Sequence, residues 1–68
     1  MGKNLLSLAS MEHILRDSGA SRVSEGAKNA LRDILEEYGV QICESAIKYA
    51  KHSGRKTVKA SDIKLAFQ

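Results

Sequence analysis

Residues 23–54 read VSEGAKNALRDILEEYGVQICESAIKYAKHSG, a stretch without proline that opens on Val23-Ser24 and closes on Ser53-Gly54. Its apolar side chains fall at Ala27, Ala30/Leu31, Ile34/Leu35, Tyr38, Ile42, Ala46/Ile47 and Tyr49/Ala50. Steps of three and four put them on one wide stripe of an α-helix. Ser24 suits the N-cap, Glu25 suits the positive end behind it, and Gly54 suits the left-handed residue that ends a helix. The spacing predicts a helix of about 28 residues, roughly 42 Å long at 1.5 Å per residue. The mean helix has only about 11–12 residues. The 36 residues outside this stretch (68 minus 32) are too few to shelter so long a rod. The stripe therefore asks for a second copy of the chain.

Composition points the same way. A chain of 68 residues lies near the lower limit of what one core supports, and chains of this size need a staple. Disulfides are excluded, because Cys43 is the single cysteine. His13, His52 and Cys43 show none of the usual metal-ligand spacings, so no metal and no cofactor is expected. Oligomerisation remains. With 28% charged and 43% hydrophobic residues, the chain reads as one folded domain over 1–68, frayed over 1–6, and not as a disordered tail. A lone cysteine and the absence of a secretion-type start suggest a reducing, cytoplasmic setting. No run of 18 apolar residues exists to span a membrane.

On the N-terminal side, Leu5, Leu6, Leu8, Met11, Ile14 and Leu15 are compatible with a short helix that stops at Gly19, and Ser7 or Ser10 could cap it. Arg22-Val23 is extended enough for a strand of two or three residues. Gly54-Arg55-Lys56-Thr57-Val58 repeats that design, a basic loop running into a β-branched pair. Lys59 to Phe67 reads as a last short helix, for which pattern alone names Ser61 the N-cap, although Ala60 could already be helical. The layout is all-α, short helix, long helix, short helix, and is nearly symmetric about Tyr38-Gly39.

Charge is uneven along this layout. Net charge is +3. Between Lys48 and Lys64 stand Lys48, Lys51, Arg55, Lys56, Lys59 and Lys64 against the single acid Asp62. If two long helices cross antiparallel near their midpoints, Arg22 of one chain neighbours Arg55, Lys56 and Thr57 of the other. A basic cluster then forms at each end of the pair. The helix N-terminus at Ser24 and the nearby Arg16 add phosphate-binding character. Loop arginines suit the minor groove, and no helix offers a polar face for reading bases in the major groove. Gly39, at the midpoint, either admits close approach of two backbones or is a tolerated surface glycine.

At these residues the chain resembles the archaeal histones. The likeness is carried by Ser18-Gly19-Ala20-Ser21-Arg22-Val23-Ser24, by Ile34-Leu35-Glu36-Glu37, and above all by Ala50-Lys51-His52-Ser53-Gly54-Arg55-Lys56-Thr57-Val58-Lys59-Ala60-Ser61-Asp62-Ile63. The resemblance implies the histone fold, an antiparallel handshake homodimer, and double-stranded DNA wrapped around a row of dimers or a longer filament without base-specific contacts. It implies that Arg22 enters the minor groove and that Arg55, Lys56 and Thr57 contact phosphates. It implies an Arg55–Asp62 pair within the chain, and dimer–dimer contacts through Tyr49, His52 and Asp62. Gly19 matches a small residue where neighbouring turns of wrapped DNA and protein stack closely.

His13 departs from this pattern, standing where many members carry a DNA-contacting arginine. A histone-fold subunit that dimerises inside a transcription-related assembly, with little DNA binding of its own, is the alternative, and another histone is a possible partner. An enzyme is disfavoured, since the chain has no nucleophile–base pair, glycine-rich phosphate loop or metal spacing. A sequence-specific ribbon repressor would need an N-terminal strand that the chain lacks.

Overall fold

The computed structural model describes residues 5–68. It contains α1 (Leu8–Asp17), α2 (Glu25–His52) and α3 (Ala60–Phe67). With 28 residues, α2 has the length its stripe requires. Two compact units share the chain, the first ending at Glu37 and the second running Tyr38–Gln68. The division falls inside α2, beside the Tyr38-Gly39 centre of the sequence's mirror symmetry.

In the first unit, the Ser7 hydroxyl caps α1 by accepting the N–H of Ser10 at 3.0 Å. Met11 is buried. The helix stops in a Schellman turn: Gly19 N–H donates to the Arg16 carbonyl and Ala20 N–H to the Leu15 carbonyl, at 3.0 and 3.1 Å. This turn needs a left-handed residue at its apex, and Gly19 supplies it with φ 114°. The Ser24 hydroxyl caps α2 by accepting the N–H of Ala27 at 3.0 Å. Of the start expected to fray, residues 1–4 lie outside the described residues. The N–H groups of Leu5 and Leu6 donate to one Glu36 carboxylate oxygen at 2.6 and 2.8 Å.

The second unit repeats the device. Gly54 N–H donates to the Lys51 carbonyl and Arg55 N–H to the Ala50 carbonyl, at 2.9 and 3.0 Å, with φ 76° at Gly54. Ala46 and Ala50 are buried. The ring of Phe67, at the end of α3, meets Tyr38 edge-on with centroids 6.4 Å apart.

Two local expectations are corrected. The N-cap of α3 is Lys59 and not Ser61. The reason is Asp62, whose carboxylate reaches back from the first turn to accept the Lys59 N–H at 2.8 Å, so an acid three positions on replaces a capping hydroxyl. Arg22-Val23 is not a strand. Extended residues become a strand only when another segment takes up their backbone groups in a ladder, and among the described residues none does.

Only half of the stripe on α2 is covered by its own chain. Leu31, Leu35, Ile42, Ala46 and Ala50 are buried or half-buried, whereas Ala27, Ala30, Ile34, Tyr38, Ile47 and Tyr49 stand exposed. Ile34 and Phe67 each keep 64% of their surface in water. The only buried hydrophobic residues among those described are Met11, Ala46 and Ala50. Three such side chains are a slender core for a folded chain of this size.

Candidate nucleic-acid interface

The two glycine-capped turns present the chain's basic loops. After the first turn come Arg22 and Ser24. Because the Ser24 hydroxyl already accepts from Ala27, its own proton is left to donate outward. The first turn of α2 adds the positive end of a long helix at the same place. Arg22 is exposed and makes no ion pair among the described residues.

After the second turn, Arg55 faces Asp62. The two Nη atoms lie 3.0 Å from the two carboxylate oxygens, and Nη1 also donates to the Thr57 carbonyl at 2.9 Å. This two-pronged pair nails the loop to the first turn of α3. Asp62 is 2% exposed. The Arg55 guanidinium and the Lys59 N–H pull its carboxyl down to about 2, and Asp62 in turn raises Arg55. Lys56, next in the loop, is exposed and without an ion pair among the described residues. A groove of about 370 Å³ opens beside this loop, with Ile47, Ala50 and Val58 as its apolar wall and Lys51, Arg55 and Lys56 on its rim.

The expected binding residues thus divide by what already holds them. Arg22 and Lys56 make no ion pair among the described residues. Arg55 is committed within the chain, and Thr57 gives it a carbonyl. His13 Nε2 lies 3.4 Å from Asp17, and Arg16 donates to Glu12 at 2.9 Å and to the Ser21 carbonyl at 3.3 Å. Tyr49 and His52 are exposed near the end of α2. Asp62 has both oxygens occupied.

Sequence reasoning missed Glu12. One oxygen of its carboxylate takes Arg16, and the other lies 3.3 Å from Lys28 Nζ on α2. Lys28 also pairs with Glu25 at 2.8 Å. Arg16 and then Lys28 hold the Glu12 carboxyl below its usual range, while Glu25 leads in raising Lys28. The i,i+4 spacing of Glu12 and Arg16 was visible. The Lys28 link spans 16 residues and required the turn at Gly19. Among the described residues no group of three acidic, histidine or cysteine side chains is placed to hold a metal. No helix there is long and apolar enough to cross a membrane.

Three helices, with a long central one and basic loops at both of its ends, define a histone-fold protein. A sequence profile of the family described as "Histone-like transcription factor (CBF/NF-Y) and archaeal histone" matches residues 4–67. A protein of Thermococcus zilligii, one of the subunits of archaeal histone HAN1, is 48% identical over 61 residues, which is 90% of this chain and 91% of that protein. Probable archaeal histone 3 of Methanocaldococcus jannaschii is 41% identical over 63 residues, 93% of this chain and 94% of its own. The chain belongs to this family of histone-like transcription factors and archaeal histones.

Proposed function

We propose that this chain is an architectural DNA-binding protein, a single histone-fold domain that pairs with a second copy and holds duplex DNA by its backbone. The observation that carries the reading is the pair of exposed cations without an ion pair among the described residues, Arg22 and Lys56, each set on a loop that follows a glycine turn at one end of α2. The exposed half of the α2 stripe and the apolar groove beside Val58 favour a partner chain. An antiparallel handshake would bring the Arg22 loop of one chain beside the Lys56 loop of the other, one cluster at each end. Arg22 then enters the minor groove, and Lys56, Thr57 and the Ser24 hydroxyl meet phosphates, with Arg16 and His13 along the flank.

In this arrangement Tyr49, His52 and Asp62 join one dimer to the next, and Gly19 leaves room for stacked turns. The protein works on the chromosome in the cytoplasm and performs no catalysis. The basic loops favour this reading over a dimerisation module that leaves DNA alone.

Filter binding to unrelated duplexes across a salt series tests it. Counterion release predicts a log–log slope of about −0.9 for each phosphate neutralised, with similar affinity for every sequence. A flat salt response would reject the reading.

A further inference from the structure

Arg16 on α1 differs from the loop residues Arg22 and Lys56 in being occupied already. Arg16 points Nε at one Glu12 oxygen, 2.9 Å away, and Nη1 at the Ser21 carbonyl. Lys28, on α2, approaches the other Glu12 oxygen at 3.3 Å. Two cations of the first unit thus share one carboxylate, with Lys28 also paired to Glu25 at 2.8 Å. A carboxylate and a phosphate present the same acceptor geometry to a guanidinium fork. Arg22, a few residues away along the chain, has no such counter-ion among the described residues.

We infer that Glu12 sets the strength of the α1 contact with DNA by standing in for a backbone phosphate on Arg16 and Lys28. This rests on the proposed function. Arg16 must exchange Glu12 for phosphate when the duplex arrives, and the counterion it would have released is an internal carboxylate. Part of the affinity that an unpaired Arg16 would bring is thereby cancelled, and so is its share of the salt dependence. Binding leans on the loop residues and only lightly on the α1 flank. That weakening suits a protein that must release DNA as well as coat it.

The test is Glu12→Gln, which keeps the shape of the side chain and removes its charge. On a duplex of random sequence we expect about two- to tenfold tighter binding at 0.1 M salt, and a log–log slope steeper by about one per chain. Arg16→Ala should weaken binding clearly more beside Glu12→Gln than in the wild-type background. Unchanged or weaker binding by a folded Glu12→Gln protein overturns the inference. Should that variant fail to fold, the wild type answers instead. The NMR resonance of the Arg16 side-chain Nε–H should move when a short duplex is added, and a resonance that stays fixed at saturation overturns the inference. Failure of the wild type to bind any duplex would instead sink the proposed function itself.

Discussion

Asp62 gives one carboxylate oxygen to each terminal nitrogen of the Arg55 guanidinium, both at 3.0 Å, while holding the Lys59 N–H at 2.8 Å. One buried acid therefore closes the second basic loop and starts α3. Its carboxyl is depressed from 3.8 to about 2. A depressed acid stabilises the fold fully above its unfolded value and ceases to do so as pH falls through the folded one. We expect Asp62→Asn to lower the thermal midpoint at neutral pH by several degrees. The gap from wild type should shrink between about pH 4 and pH 2. Circular dichroism melts across that range check it, and a constant gap would show that the ionised pair is not what holds the loop.

Gly54, at φ 76°, carries the turn that delivers Arg55 and Lys56. A side chain there costs about 1–2 kcal/mol in the left-handed region. Gly54→Ala should therefore lose stability of that size in urea unfolding although the added methyl meets open space. A loss below about 0.3 kcal/mol would mean that the turn relaxes and the loop is not fixed.

Arg22→Ala and Lys56→Ala should each weaken binding to the same degree on unrelated duplexes and reduce the salt slope by about one per chain. Competition between sequences of different composition provides the check. A change in sequence preference by either variant would imply base reading, contrary to backbone binding.

His52 is the clean probe of contacts between dimers, because it is exposed whereas Asp62 is buried and already spent on Arg55. His52→Ala should leave dimers intact and shorten the DNA protected from nuclease. Protection of unchanged length would remove His52 from that contact.

The architecture was legible because its signals are local. Spacing, a serine cap and a glycine stop specify α2 almost to the residue, and Gly19 specifies the end of α1 in the same way. Ser61 misled because a hydroxyl is the commoner cap, and the backward reach of Asp62 depends on how Arg55 orients it. Of the site, the loop cations could be read directly from charge. Which of them are already paired could not, since Arg55 and Asp62 are seven residues apart and Glu12 meets Lys28 only after the chain reverses. The split of the α2 stripe into a covered and an uncovered half also depends on packing, which periodicity alone does not reveal.

The uncovered half is what everything else depends on. Ile34, Tyr38 and Ile47 remain exposed along a helix of 28 residues, apolar surface that the proposed partner chain would cover. Sedimentation equilibrium of the purified protein in dilute solution, with helix content followed on the same samples, tests this most directly. We expect a mass of twice 7.4 kDa, with helix and dimer lost together on dilution. A helical, stably folded species at the mass of one chain would contradict it.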